Sequence, residues 1–199
     1  NYGFGFGARG FMNLTAEFLR RDPSNPNEDP CRPNREIGDA AVENRTLYVN
    51  GAVGTGERGE LYVHGGAQER QGDASAYDRT GIAPPCGRTT HIPHRNSAQM
   101  YPNGFAPRIG TDVEDHSLTV GGRTSFAGWS MDLNATHGRN RMDYIIGSTL
   151  NASLANADLL AGGQGISPAS FDAGGFSYRQ STLGLHVTRY FSDPLHGGN

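Results

Sequence analysis

Two stretches have the spacing of a phosphate-cradling turn. Gly5-Phe6-Gly7-Ala8-Arg9-Gly10 and Gly54-Thr55-Gly56-Glu57-Arg58-Gly59 both fit G-x-G-x-x-G, whose backbone N–H groups receive a pyrophosphate when the turn opens a helix. Both are followed here by alternating apolar and polar residues, which is strand periodicity, so they read as glycine-rich hairpin turns. His91-Ile92-Pro93-His94, with Cys86 five residues before His91, carries donors that a metal accepts. A structural zinc needs a complete, well-spaced ligand set, and this spacing fits no common one, so a solvated loop is the simpler reading. The acidic group Asp112, Glu114 and Asp115 falls where a loop is expected to re-enter a strand and reads as solvated charge. Asn13, Asn44, Asn134 and Asn151 each begin an N-x-S/T triplet; with two of them inside expected strands, chance matching is the better account. There is no G-x-S-x-G elbow, P-loop or helical zinc motif. The chain is therefore read as a non-enzyme without cofactor or metal.

The elements that would carry these residues are strands. Alternation runs through six segments, 11–20, 45–53, 61–70, 116–124, 130–138 and 178–190. In each, one side is apolar and the other polar, as in strands with two unlike faces. The connections at 54–60 and 125–129 are short and glycine-bearing, fit for hairpins. Those at 21–44, 71–115 and 139–177 are long and rich in Pro, Asn, Asp and Gly. Short and long connections thus alternate, giving an all-β, antiparallel up-and-down meander.

The composition narrows the setting. Of 199 residues, 35% are hydrophobic, 19% are charged and 29 are glycine, and all 17 basic residues are arginine. Glycine is about twice its usual share of roughly 7%. A net charge of -3 argues against a nucleic-acid partner, which selects a basic excess. No apolar run approaches the ~18 residues of a membrane helix, whereas alternating barrel strands never form such a run. The chain shows no signal peptide, and both ends read as cuts within something longer. Loops beyond ~12–15 residues are uncommon in a compact soluble domain but expected on the outer side of an outer-membrane barrel. A secreted soluble β-sandwich, whose strands alternate in the same way, stays open at this point.

Particular residues carry a resemblance. Arg20-Arg21-Asp22-Pro23-Ser24-Asn25 follows the first strand, and Tyr101-Pro102-Asn103-Gly104-Phe105 closes the second long loop. Gly128-Trp129-Ser130-Met131-Asp132-Leu133 opens the fifth strand, and Gly138-Arg139-Asn140-Arg141-Met142-Asp143-Tyr144 ends it. Asn151-Ala152-Ser153-Leu154 and Ser167-Pro168-Ala169-Ser170-Phe171-Asp172-Ala173-Gly174-Gly175 lie in the third long loop. In this order, over nearly the whole chain, they resemble the barrel of TonB-dependent outer-membrane receptors.

The resemblance implies an internal slice of a large transmembrane β-barrel, six strands out of the roughly 22 that enclose a plugged lumen. Its setting would be the bacterial outer membrane, with outer-membrane lipid, the remaining barrel strands, the receptor's own plug domain and a small extracellular ligand as partners. The plug, and the segment through which it engages TonB, are absent from these residues. The implied function is TonB-energised uptake of a scarce nutrient of the siderophore, vitamin or carbohydrate class; a passive porin-like barrel is the nearest alternative. On that topology Met12, Leu14, Phe18, Leu47, Val49, Leu61, Val63, Leu118, Val120, Met131, Leu133, Leu183, Leu185 and Val187 face lipid. Glu17, Tyr48, His64, Gln68, Arg123, Asp132, Asn134 and His186 line the lumen. Substrate contact is expected from Tyr101, Phe105 and Arg108, because aromatic and arginine side chains dominate binding hot spots. Cys31 and Cys86 fall in adjacent outer loops, and the oxidising cell surface would let them form a disulfide that pins those loops.

Overall fold

The computed structural model describes residues 1–32, 34–81, 96–189 and 191. Seven strands form one antiparallel sheet in chain order: β1 (Tyr2–Gly5), β2 (Gly10–Arg21), β3 (Ala41–Gly54), β4 (Gly59–Ser75), β7 (Arg108–Phe126), β8 (Trp129–Gly147) and β9 (Phe171–Arg189). Between β4 and β7 the two-residue strands β5 (Arg79–Thr80) and β6 (Gly104–Phe105) pair with each other. One helix, α1 (Ala152–Leu160), precedes β9. The sheet is open, with β1 and β9 at its edges.

Every expected strand lies within β2, β3, β4, β7, β8 or β9, apart from Tyr190, which is outside the described residues. Three things differ from the expectation. The short strand β1 adds a neighbour to β2, helix α1 interrupts the third long loop, and the strands run much further toward the long loops. The long connections contract accordingly, to 22–40, 76–107 and 148–170. The acidic group Asp112, Glu114 and Asp115 consequently sits inside β7 rather than at a loop junction.

The extension has a physical cause that is visible in the register. Val63 pairs with Val120, Val120 with Ala135 and Ala135 with Leu183. Leu61, Gly122, Leu133 and Leu185 form the next row on the same face. Moving toward the long loops, that same face becomes charged through Glu69, Glu114 and Arg141, then Asp112 and Asp143. The opposite face changes in the reverse sense: polar near the short turns, it carries half-buried Ile109, Val113, Met142, Tyr144 and Ile146 near the long loops. Apolar side chains therefore switch faces partway along the strands. A single alternation pattern breaks at the switch although the backbone ladder does not.

The fold has little conventional core. Among the described residues the buried apolar ones are Val42, Phe105, Ala106 and Ala155, and no large side chain is fully enclosed. Apart from the β5–β6 pair, the described residues form no second sheet. Leu47 is 57% exposed, Leu118 50%, Leu133 53% and Leu185 65%. One sheet face is thus apolar and uncovered in its part nearer the short turns.

The three short connections all lie at one end of the sheet. Both G-x-G-x-x-G stretches are hairpin turns there, closed by Phe6 N–H to Gly10 C=O at 2.8 Å and Thr55 N–H to Gly59 C=O at 2.8 Å. The β7–β8 turn has only Ala127 and Gly128 between paired Phe126 and Trp129, with φ of 52° and 79°. Two positive φ values match the right-handed twist of the flanking strands, as in a type I′ turn. Glycine accepts that conformation, whereas alanine is strained in it. Replacing Ala127→Asn should raise stability in urea unfolding by up to about 1 kcal/mol, because asparagine tolerates the left-handed region. Gly128→Val should lower it by a similar amount or more; an unchanged midpoint for both would contradict the turn.

Candidate functional site

The polar face of the sheet is built by register. Glu17 on β2, Tyr48 on β3, His64 and Gln68 on β4, Arg123 on β7, Asp132 and Asn134 on β8 and His186 on β9 all occupy rows of that face. All eight side chains expected to line a lumen therefore share one face, opposite the uncovered apolar one. Polar contacts cross between strands on this face. Asn13 donates to Asn50 at 2.9 Å, Gln68 to Asn44 at 2.6 Å and Asn140 to Asp115 at 2.7 Å, and Thr119 and Thr136 hydroxyls meet at 2.8 Å.

The densest part of this network lies near the short turns. The Tyr62 ring covers Gly121, where any side chain would collide with it, so the glycine makes room for a tyrosine laid flat across the strands. The Tyr62 hydroxyl donates to Asp132 at 2.8 Å, and Arg123 reaches the same carboxylate at 3.1 Å while its guanidinium lies 4.4 Å from the Tyr62 ring centroid. Asn134 completes the set at 3.0 Å. The arrangement orders polar side chains on one wall. It holds no nucleophile–base pair, and groups of three or more metal-binding side chains are absent among the described residues.

At the other end of the sheet, the three long loops interlock. Between the first (22–40) and second (76–107), Arg32 donates to Asp78 at 2.9 Å and to the Tyr77 hydroxyl at 3.0 Å. Asp78 is 3% exposed, and its carboxylate is ion-paired with that arginine. The hydrogen bond to Tyr77 holds the Arg32 guanidinium above its ordinary pKa, and Asp78 adds to the effect. Asn34 donates to the Gly104 carbonyl at 3.0 Å. Between the second loop and the third (148–170), Ser97 donates to the Gly165 carbonyl at 2.6 Å and the Tyr101 hydroxyl to the Thr149 carbonyl at 3.0 Å. The result is a cap of three mutually braced loops.

The residues expected to contact substrate are the braces of this cap. Phe105 is 5% exposed, and its ring stacks on Tyr101 at 4.3 Å between centroids. Burial raises the Tyr101 hydroxyl above its ordinary pKa. Arg108 is engaged twice, by Asp73 at 2.9 Å and by Glu36 at 2.5 Å. The presented aromatic is instead Tyr77, 69% exposed, with Arg32 at 5.4 Å and Arg79 at 5.6 Å from its ring centroid. Sequence reasoning passed over Tyr77 because nothing in its neighbours distinguishes it from Tyr101; only the cross-loop contacts decide which ring is consumed internally. Cys31 is disulfide-bonded. Cys86, like His91 and His94, lies outside the described residues. An open groove of about 410 Å³ near the cap is lined by Arg20, Arg21, Glu43, Asp73 and Asp112 among others, an ionic surface rather than an enclosed apolar pocket.

Three of the four N-x-S/T asparagines, Asn13, Asn44 and Asn134, lie inside strands. The fourth, Asn151, caps α1 by accepting from Leu154 N–H at 3.1 Å. Comparison of the chain with protein-family models, with curated proteins and with solved structures gives no match.

The third loop is tied by one carboxylate. Asp158 on α1 accepts the backbone N–H groups of Gly165 at 2.8 Å and Ile166 at 3.0 Å. Backbone N–H groups, Ile166 first and then Gly165, hold its pKa below the ordinary carboxylate value. A depressed folded pKa means that the stabilising contribution is present above the unfolded value and lost as pH falls through the folded one. Protection factors against amide exchange at Gly165 and Ile166, corrected for the intrinsic rate at each pH, should therefore fall in acid below the usual carboxylate range and in Asp158→Ala at neutral pH. Unchanged protection in both would contradict this tie.

Proposed function

We propose that the chain is part of the barrel wall of an outer-membrane receptor that takes up a small extracellular ligand with energy from TonB. The observation that carries this reading is the apolar sheet face left without a covering layer. Each large apolar side chain kept in water forfeits roughly 1.5–3 kcal/mol of burial, against a whole-fold stability of about 5–15 kcal/mol. A face carrying Leu47, Leu61, Leu118, Leu133, Leu183 and Leu185 needs an apolar environment. Lipid supplies one without a second sheet.

Further features support the same reading. Short turns at one end of the sheet and long loops at the other are the pattern of periplasmic and extracellular connections. The charged rows beyond the apolar band suit the level of headgroups and water, and the polar face opposite suits a hydrated interior. In a closed barrel the edges β1 and β9 would pair with further strands, since a barrel leaves no edge. The braced loop cap would stand at the outer mouth, where Tyr77, flanked by Arg32 and Arg79, is the presented group for a ligand with anionic or π-bearing character. Energised passage would belong to the plug, which these residues do not contain.

The comparison that separates lipid from water on the apolar face uses neighbouring residues of β8. Leu133→Arg should reduce insertion into vesicles by about 2–4 kcal/mol, whereas Asn134→Arg, on the opposite face, should leave it nearly unchanged. Equal effects, or a stable water-soluble monomer without detergent, would contradict the barrel-wall reading and favour a soluble β-sheet module.

A further inference from the structure

Toward the long loops, the uncovered face carries a row with two arginines at paired positions. His116 pairs directly with Arg139, and Arg139 directly with Arg179. Residues opposed in this way hold their Cβ atoms about 4.5–5.5 Å apart, and like charges so placed repel. Other arginines on this face are engaged: Arg20 with Asp22, Arg45 with Glu43, Arg108 with Glu36 and Asp73, and Arg141 with Asp143, while Arg189 lies over the Trp129 and Phe191 rings. Arg139 and Arg179 have no hydrogen-bond or ion-pair partner among the described residues, and the Arg139 Nε is shielded from solvent without an acceptor. In the next row toward the loops Glu114 stands between Glu69 and Arg141, and His137 is engaged by the Ser181 hydroxyl at 2.9 Å. Two arginines at directly paired positions, one with a shielded donor unused, thus have no anionic partner among the described residues.

Their level on the sheet says which anion. Leu118 is two residues nearer the short turns than His116 on β7, about 7 Å along the strand, and Val120, Ala135 and Leu183 form the row beyond it. The cationic row therefore borders the apolar band on its loop side. A lipid whose acyl chains cover that band would bring its phosphate to this height, and guanidinium forks match phosphate oxygens in pairs. We propose that Arg139 and Arg179, with His116 beside them, bind the phosphate of an anionic lipid headgroup. This rests on the membrane reading of the apolar face.

The test refolds the 199-residue chain into zwitterionic detergent micelles and titrates phosphatidylglycerol, phosphatidylcholine and inorganic phosphate separately, following Trp129 fluorescence and strand content. Phosphatidylglycerol should bind in preference to phosphatidylcholine. The Arg139→Ala/Arg179→Ala double variant should lose that affinity roughly a hundredfold, at about tenfold for each charge-assisted contact. Arg20→Ala, on the same face but partnered, should change it less than about twofold. A double variant that folds into micelles and binds phosphatidylglycerol as tightly as the parent overturns the site while leaving the membrane reading intact. Inorganic phosphate binding as tightly as the lipid overturns the lipid assignment. Failure of the parent chain to enter micelles at all overturns the membrane reading, and this proposal with it.

Discussion

The backbone ladder between β7 and β8 holds one register from Arg108↔Gly147 to Phe126↔Trp129, and the ladders on either side continue its rows up to a register shift between Tyr144 and Ile145 where β8 meets β9. Because side chains alternate with a period of two, this register decides which residues share a face, and a slip of one residue would invert every assignment. Leu61, Gly122, Leu133 and Leu185 are brought into one row by pairing alone; so are Tyr62 and Gly121 on the other face. With no large residue fully enclosed among the described residues, pairing takes the place that a packed core holds elsewhere. The apolar face is therefore both the product of the register and the condition that selects its surroundings.

The two ends of the sheet solve different problems. Near the short turns, apolar residues occupy the uncovered face and hydrogen-bonded polar residues the other. Near the long loops the distribution reverses, and the loops above brace one another through Arg32–Asp78, Ser97–Gly165 and Tyr101–Thr149. On the proposed membrane reading, a face leaving an apolar medium for water gains from charge, while half-buried Ile109 and Ile146 on the opposite face gain from being shielded, and one ladder would then cross between two environments.

How far the sequence revealed this depends on the same reversal. Leu118 and Val120 alternating with Thr119 and Gly121 mark a strand plainly, and the short glycine turns locate its end. Residues 108–115 also alternate, but their apolar members Ile109 and Val113 occupy the other face, so the pattern loses phase and reads as loop. β1 is four residues with two glycines; it exists because Tyr2↔Leu14 and Phe4↔Met12 pair with β2, not because of its own propensity. The polar wall was legible residue by residue, since it needs only alternation. The cap was not. Phe105 and Tyr77 are both aromatic loop residues, and their opposite fates depend on contacts between segments such as Arg32 and Tyr77, 45 positions apart.

The central claim is that one face of this sheet meets lipid and the other meets water. Spin labels placed singly at residues 131 to 136 of β8, in the chain reconstituted into vesicles, measure this directly through accessibility to a lipid-soluble and a water-soluble relaxant. The account predicts lipid-phase accessibility at Met131, Leu133 and Ala135 and aqueous accessibility at Asp132, Asn134 and Thr136, alternating residue by residue. Uniform accessibility along the segment, or aqueous contact at Leu133, would contradict it.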